Sequence, residues 1–387
     1  LYTVRNGLPD NWILCLQQAS DGSLWIGTKD GFSRWHNGEI ETFRSKDGLS
    51  QSSAYSAYED REGSLWVGTK HGLNQFLDGR AIPYTASEGL PSNNTGPVLQ
   101  DSNGVIWVGT LDAGLARFNG RRFSPLTTRD GLASNSIYAL AADDSGGLWV
   151  GTDAGLNLLR GGRVTATYTT REGLPSNDIR CLFLDRSEVL WVGTNAGLTT
   201  FRGHTFVQPP GLRGVLTGSI LAIGQDAQGR IFAATEGGDV HIYANGQLTE
   251  FAQNGLPPRD IASFYRDQDG LLWMGTLGSS LRLLKDGKVF NFYMHDGLFD
   301  DEIYGILGDG QGRLWMACSK GIFSVSRSDL LKFAAGSLKQ VVSSPYIPTD
   351  ALRTIESKSD VQPAAARMQD GRLWFSTTRG LIAIDPQ

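Results

Sequence analysis

The stretch SLWVGTKHGL at residues 64–73 recurs throughout this chain with small changes. Clear copies begin at residues 23, 105, 147 and 189, and more altered copies begin at residues 230, 271, 313 and 372. The 387 residues therefore carry nine copies, and this repeat outweighs chain length in predicting how the protein is organised.

The motif aromatic residue measures the period of the repeat. Successive aromatics are separated by 41, 41, 42, 42, 41, 41, 42 and finally 59 residues. They are Trp25, Trp66, Trp107, Trp149, Trp191, Phe232, Trp273, Trp315 and Trp374. A period of about 40–45 residues with four short strands per unit is typical of β-propeller blades.

One unit, residues 52–85, illustrates the predicted strands. Four short runs at 52–60, 64–69, 73–77 and 81–85 are bounded by Gly, Asp, Asn or Pro. Pairs that favour tight hairpins, such as Asn119-Gly120, fall between the third and fourth strands. The pattern predicts an all-β fold of four-stranded antiparallel blades that cover each other's apolar faces.

The motif itself is interpreted as structural rather than catalytic. Its Trp offers a large flat surface for packing blade on blade. The Gly two residues later leaves room for the adjacent sheet, and the following Thr can satisfy a backbone group near the strand end. The same demands arise in every blade, which explains why the ten residues recur.

The two ends of the chain predict how the ring closes. Residues 1–4, LYTV, read as a fourth strand without a blade, and the last unit stops after its third strand. We therefore predict a single propeller of nine blades over residues 1–387, in which the amino-terminal strand completes the last blade. This closure removes two exposed strand edges. The alternative is a seven-bladed ring plus two blades of a neighbouring propeller.

The long final step of the repeat arises from RSDLLKFAAGSLK at residues 327–339. Ser328 can cap a short amphipathic helix that carries Leu330, Leu331 and Phe333 on one side. This helical insertion is predicted between the third and fourth strands of the eighth blade, as a structural lid.

Bulk composition excludes several classes of function. The net charge is −5 with no Lys/Arg run, which argues against a nucleic-acid partner. No stretch of eighteen apolar residues predicts a membrane span. Three cysteines are too few for a disulfide framework. Because the sequence starts at Leu1 without a signal peptide, we expect a piece excised or processed from a longer protein.

The sequence contains no recognisable catalytic or metal-binding motif. The five His residues fall at five different places in the repeat, which disfavours a zinc site. Acidic turns such as Asp267-Gln268-Asp269 lack the ligand spacing of a calcium loop and are interpreted as turns. We therefore predict a non-enzymatic protein with no cofactor and no metal.

Two motifs together carry a family resemblance. The tandem L-W-[IV]-G-T-x-x-G-L is followed by [DE]-G-L-[PS]-x-N, as in EGLPSN at 88–93 and 172–177. This combination is similar to the two-component regulator propeller family and covers essentially the whole chain. Departures occur at FAAT, MACS and FSTT in the sixth, eighth and ninth copies.

The resemblance implies a sensor role. In that family, propellers form the extracytoplasmic sensor of bacterial membrane receptors, ahead of a Y-Y-Y immunoglobulin-like domain, a transmembrane helix and a histidine kinase or diguanylate cyclase. None of these follows in this sequence, so the resemblance implies a detached, periplasmic sensor region. Such sensors often form dimers, so a homodimer is a possible assembly.

Candidate ligand-binding residues lie at positions where the blades differ. The innermost strand of each blade varies eleven and thirteen residues before the motif aromatic, whereas the position ten residues before it is small throughout. A ring mouth lined with aromatic, basic and acidic side chains is a plausible ligand site. The candidates are Trp12, Tyr55, Tyr138, Arg180, Asp260, Glu302 and Tyr304. The repeated Asn of the loop motif are expected to hold the loop in shape.

Three functions remain open from the residues. The first is a non-catalytic sensor that binds a small molecule or glycan at the mouth of the ring. The second is a protein-interaction scaffold or dimerisation module, which a blocked mouth would favour. The third is a propeller lyase or glycosidase. A cluster such as Tyr55, Tyr138, Arg180, Asp260 and Glu302, converging around a deep pocket, would favour it. Fold alone does not decide among them.

Overall fold

The computed structural model describes most of the chain. The described residues are 1–19, 22–36, 38–44, 52–59, 64–70, 72–77, 81–203, 205–212, 216–251, 261–346 and 361–386. They form two compact units, one within residues 1–81 and the other comprising residues 82–346 and 361–386.

The first unit contains two antiparallel sheets in its described part. A four-stranded sheet has the order β1-β2-β3-β4, and a three-stranded sheet has the order β5-β6-β7. The strands are β1 (Ile13–Gln18), β2 (Leu24–Thr28), β3 (Gly31–His36), β4 (Glu39–Phe43), β5 (Ala54–Glu59), β6 (Ser64–Thr69) and β7 (Gly72–Leu77). The first strands of the two sheets, β1 and β5, lie side by side.

The second unit consists, within the described ranges, of seven four-stranded antiparallel sheets, which we call blades A to G. Blade A is β9 (Thr95–Gln100), β10 (Ile106–Thr110), β11 (Leu115–Phe118) and β12 (Phe123–Leu126). Blade B is β13 (Ile137–Ala142), β14 (Gly147–Thr152), β15 (Gly155–Arg160) and β16 (Arg163–Tyr168). Blade C is β17 (Ile179–Leu184), β18 (Leu190–Thr194), β19 (Gly197–Arg202) and β20 (Thr205–Val207). Blade D is β21 (Ile220–Gln225), β22 (Ile231–Thr235), β23 (Val240–Ala244) and β24 (Gln247–Glu250).

The remaining three blades contain the helix and the closing strand. Blade E is β25 (Ile261–Arg266), β26 (Leu272–Thr276), β27 (Leu281–Lys285) and β28 (Lys288–Phe292). Blade F is β29 (Ile303–Gly308), β30 (Arg313–Cys318), β31 (Gly321–Ser326) and β32 (Ser343–Tyr346). Blade G is β33 (Ala365–Arg367), β34 (Leu373–Thr377), β35 (Gly380–Ile384) and, from far earlier in the chain, β8 (Ala81–Tyr84).

The seven blades of the second unit close into a ring. The first strand of each blade contacts the first strand of the next, and β33 of blade G contacts β9 of blade A. The all-β propeller class is therefore confirmed.

The predicted closure by the amino-terminal strand is wrong, and with it the single ring of nine blades. The fourth strand of blade G is β8, whose Tyr84 stacks on Trp374 with ring centroids 4.9 Å apart. At the amino terminus, the Thr3 side chain caps a 3-10 turn at Val4–Asn6, which takes the chain out of an extended conformation, and Leu1 is fully exposed. The alternative of a seven-bladed ring plus two further blades agrees with the described sheets.

The repeated motif packs the blades against each other, as predicted. Buried side chains of adjacent blades form shared clusters, for example Leu99 and Trp107 of blade A with Ile137 and Leu148 of blade B. A Cβ on Gly151 would approach the Ile179 side chain of the next blade to 2.6 Å, closer than packed atoms allow. The motif Thr also acts as predicted, because its hydroxyl donates to a carbonyl at the start of the third strand, as Thr152 does to Gly155 at 2.8 Å.

The acidic turns between the first and second strands hold themselves together through their own carboxylates. Oδ1 of Asp101 accepts hydrogen bonds from the backbone N–H groups of Asn103 and Val105, each at 2.9 Å. Its Oδ2 accepts the indole N–H of Trp107 at 2.7 Å. The same carboxylate-to-indole bond recurs in Asp185–Trp191, Asp267–Trp273 and Asp309–Trp315. These bonds agree with the interpretation of the acidic pairs as turns.

The insertion in blade F forms α1 (Arg327–Ala334), between β31 and β32. Its cap is Ser326 rather than the predicted Ser328, since the Ser326 side chain accepts from the Asp329 N–H. Leu330 is fully buried in the core shared by blades E and F. The Arg327 guanidinium donates to the carboxylates of Asp267 and Asp269 on blade E. The helix therefore links blades E and F, which agrees with a structural role.

Candidate functional site

The mouth of the ring lies on the face that carries the loops with the [DE]-G-L-[PS]-x-N motif, which we call the G-L loops. Four of the described loops begin with a Thr that caps a 3-10 turn, and the turn ends at a Gly with a left-handed backbone, for example Thr127 and Gly131 (φ 100°). The loop before blade F has Tyr293 in place of the Thr, without a side-chain cap. The predicted role of the loop Asn is confirmed: Asn135 Oδ1 accepts the backbone N–H of Thr128 at 2.9 Å. Asn11, Asn93 and Asn177 make the same bond in their loops. The loops are thus held in one shape, and the first strands start directly below them.

Two of the predicted residues meet on neighbouring blades. The guanidinium of Arg180 (blade C) lies over the ring of Tyr138 (blade B), 5.1 Å from its centroid. Arg180 also donates to the carboxylate of Asp178, with 2.7 Å between Nη2 and Oδ2, and Asn195 donates to the same oxygen at 3.2 Å. These four residues form what we call the Arg180 cluster.

The Arg180 cluster retains unused hydrogen-bonding capacity. The Asp178 Oδ1 and Arg180 Nε atoms are buried and have no hydrogen-bond partner among the described residues. The two side chains are only 19% and 33% exposed, so their charges are partly removed from solvent. A buried polar atom without a partner is costly, and a ligand that supplies both a donor and an acceptor relieves that cost.

A segment ahead of β33 enters the centre of the ring at this level. The Gln362 backbone donates to the Tyr138 carbonyl and accepts from the Leu140 N–H, both at 3.0 Å. Its side-chain amide donates to the carbonyl of Ile223 on blade D at 3.2 Å, and its Oε1 is buried without a partner among the described residues. Gln362 therefore spans from blade B to blade D and forms a floor beneath the mouth.

The other predicted pair lies on blade F. The hydroxyl of Tyr304 donates to the Glu302 carboxylate at 2.6 Å. Burial, reinforced by this hydrogen bond, raises the pKa of the Tyr304 hydroxyl, which stays protonated at physiological pH. Nearby, the nearly buried Asp300 carboxylate accepts from the Ser319 hydroxyl at 2.5 Å and from the Lys320 ammonium at 3.3 Å.

The remaining predicted residues do not join these groups. Trp12 and Tyr55 belong to the first unit, where they are 65% and 53% exposed, and the Lys29 ammonium lies 5.3 Å from the Trp12 ring centroid. Asp260 lies outside the described residues. Among the five residues whose convergence would favour an enzyme, the described contacts join Tyr138 to Arg180.

Sequence reasoning missed Gln362. It occupies the position twelve residues before the motif aromatic, where six of the other repeats carry Ile, a pattern typical of core packing. A polar residue in that apolar series was the available signal, but the sequence did not reveal that its backbone leaves blade G to pair with blade B.

Two negative findings apply to the described part of the chain. It contains no group of three or more His, Cys, Asp or Glu side chains arranged to hold a metal ion. It also contains no helix that combines the length and apolar character needed to cross a membrane.

The geometry defines a propeller protein with a polar ring mouth, and six segments of its sequence match a known family model. The family model described as two component regulator propeller matches residues 7–30, 48–71, 89–112, 131–154, 173–196 and 255–278. Each match runs from a G-L loop through the following G-T motif. The chain therefore carries two component regulator propeller repeats, as the motif resemblance predicted. A comparison with curated proteins finds no match.

Solved structures share the fold. The extracellular domain of the hybrid two component system BT3049 from B. thetaiotaomicron is 23% identical with a TM-score of 0.69, over 97% of this chain and 52% of that chain. The extracellular domain of the one component system BT4673 from the same organism is 18% identical with a TM-score of 0.57, over 96% of this chain and 51% of that one. The WD40 propeller domain of Doa1 is 14% identical with a TM-score of 0.58, over 80% and 97%. This chain thus spans about half the length of the first two.

Proposed function

We propose that this protein is the ligand-sensing propeller of a bacterial signal-transduction receptor, located outside the cytoplasm and without catalytic activity of its own. The two component regulator propeller repeats support the signalling role. The extracellular location rests on the two B. thetaiotaomicron neighbours, both of which are extracellular domains of signalling systems. Signalling domains outside this chain are the expected recipients of the signal.

The ligand in this proposal is a small molecule or glycan held at the mouth of the second unit's ring. The observation that carries it is the Arg180 cluster together with Gln362. Three buried polar atoms in this region, Asp178 Oδ1, Arg180 Nε and Gln362 Oε1, lack partners among the described residues. Because two of them accept and one donates, a ligand with hydroxyl or amide groups satisfies all three. Of the other predicted residues, Glu302 and Tyr304 on blade F of the same ring remain candidate contacts.

The test is a thermal-shift screen of the protein against monosaccharides, oligosaccharides and amino acids. A ligand at 100 times its dissociation constant adds about 2.7 kcal/mol to the stability of the fold that binds it, which shifts a cooperative transition measurably. Arg180→Ala is expected to abolish the shift, because it removes the guanidinium and leaves the Asp178 carboxylate without its charged partner. Arg163→Ala, which changes an exposed Arg on β16, is the matched control and should respond like the unmodified protein.

The second candidate function is a protein-interaction scaffold. Gln362 favours it, because a chain segment that crosses the ring from blade B to blade D reduces the depth of the mouth. No shift with any member of the ligand panel, or a shift that Arg180→Ala leaves unchanged, contradicts sensing at the mouth. In that case the scaffold becomes the better description.

A further inference from the structure

The face of the ring opposite the mouth carries a cavity of about 240 Å³ between blades B and C. Its lining includes the aromatic rings of Trp149 and Phe201, the apolar Leu184, and the charged side chains of Asp143, Glu188 and Arg202. It lies at the turns between first and second strands, whereas the mouth lies at the loops between consecutive blades. The two sites are therefore separate.

The indole of Trp149 differs from the indoles of four other blades. Blade D has Phe232 at this position, and the Trp374 indole of blade G also lacks a partner among the described residues. In blades A, C, E and F, the motif Trp donates its indole N–H to the Asp six residues earlier. Blade B has both residues, Asp143 and Trp149, but Trp149 makes no hydrogen bond within the described part of the chain. Trp149 is 5% exposed and lines the cavity, and its indole N–H has no hydrogen-bond partner among the described residues.

Gly147 explains why Asp143 turns away from Trp149. The residue two positions before the motif aromatic is Val, Leu or Arg in the other six blades of the ring, and Gly only in blade B. A Cβ at Gly147 would lie 2.9 Å from Cγ of Asp143, so the carboxylate occupies space that a side chain fills elsewhere. From there it accepts the Gly147 N–H at 2.6 Å and pairs with Arg160 at 3.5 Å.

A second departure from the repeat faces the same cavity. The position three residues before the motif aromatic is Gly in the other six blades of the ring, and Glu188 in blade C. Glu188 keeps the left-handed backbone of those glycines, with φ of 57°, which is unfavourable for a residue with a side chain. Strain of this kind clusters at functional sites, where the side chain has a use that outweighs its conformational cost.

We propose that this cavity binds one neutral, hydroxylated ring compound, such as a single sugar residue. Asp143 and Glu188 are balanced in charge by Arg160 and Arg202, so the site favours no net charge on its ligand. Hydroxyl groups both accept from the Trp149 N–H and donate to the carboxylates. The aromatic and apolar walls suit the C–H face of such a ring, and about 240 Å³ is below the roughly 300–1,000 Å³ of sites for larger ligands.

The test follows the indole N–H signals of the ¹⁵N-labelled protein by NMR while glucose, galactose, N-acetylglucosamine and myo-inositol are added separately at millimolar concentration. The Trp149 signal, assigned with Trp149→Phe, is expected to move with at least one of them. The Trp107 and Trp191 signals should stay fixed, because their N–H groups are already bonded to Asp101 and Asp185.

Gly147→Ala is the second variant. Its new Cβ pushes the Asp143 carboxylate back toward Trp149, so it should abolish the response while the protein remains folded by circular dichroism. The proposal is overturned if none of the four compounds moves the Trp149 signal, or if all indole signals move together. It is also overturned if Arg180→Ala removes the Trp149 response, because the binding then belongs to the mouth.

Discussion

The ring of Tyr84 lies nearly parallel to the indole of Trp374, with 12° between their planes, although 290 residues separate them in the chain. Tyr84 also packs edge-on against Phe118 and Phe123 of blade A, at centroid distances of 5.4 and 5.6 Å. One side chain on β8 thus ties the last blade of the ring to the first. Ring closure depends on a strand that the local sequence assigns to an earlier repeat.

Tyr84→Ala should destabilise the second unit by about 3 kcal/mol, because it removes a large aromatic from the seam that closes the ring. Denaturant unfolding followed by tryptophan fluorescence measures the change. Tyr58→Ala is the matched control: Tyr58 is 62% exposed, and its loss should cost less than about 0.5 kcal/mol. Equal effects from the two variants would show that β8 does not close the ring.

Asp101→Ala should lower the free energy of unfolding by about 3 kcal/mol. The buried carboxylate satisfies two backbone N–H groups and the Trp107 indole, and all three donors lose their partner in the variant. Chemical denaturation measures this loss. Asp144→Ala, at an exposed acid in the equivalent turn of blade B, should be near neutral. A neutral Asp101→Ala would contradict the role of the acidic turns.

The stability of the protein should fall on acidification, with Asp300 contributing. Burial raises the pKa of the Asp300 carboxyl, but the Ser319 hydroxyl and the Lys320 ammonium together lower it more, so its pKa lies below the ordinary value of 3.8. A carboxyl with a lowered folded-state pKa stabilises the fold fully above its unfolded pKa and loses that effect as pH falls through the folded value.

The measurement is the unfolding free energy between neutral pH and about pH 3. Asp300→Asn should be less stable than the unmodified protein at neutral pH and should lose less stability below about pH 4. Asp112→Asn, at an exposed acid, should follow the unmodified protein throughout. Parallel pH profiles for all three proteins would exclude a contribution from Asp300.

Cys181 and Cys318 should be inert to thiol reagents in the native protein. Both side chains are fully buried, and burial raises the pKa of the Cys318 thiol to about 12, with the Asp300 charge adding to it. Burial also raises the pKa of Cys181. Ellman titration of Cys15→Ser should therefore detect no thiol at pH 8 until denaturant is added. Rapid reaction of the folded variant would show that these blades open readily.

The mouth illustrates how far sequence reasoning reaches. Tyr138 and Arg180 were predicted from their variability between blades, and the structure brings them into contact because they occupy the same position on adjacent first strands. Trp12 and Tyr55 were chosen by the same rule but belong to the other unit. Variability between repeats identifies which positions of the first strand face the mouth. It does not identify the ring to which a given blade belongs.

The sequence by itself determined the blade: its period, its four strands, its glycine at the blade interface and its capped loops. Each of these follows from contacts within about forty residues or between consecutive repeats, where local propensity and hydrophobic pattern are decisive. Tertiary structure alone decided that β8 joins β35, that Gln362 crosses the ring, and that Asp143 leaves Trp149 unpaired. All repeats have nearly equivalent strands and turns, so the local sequence does not show which of them come together. Only the packing of distant segments decides that.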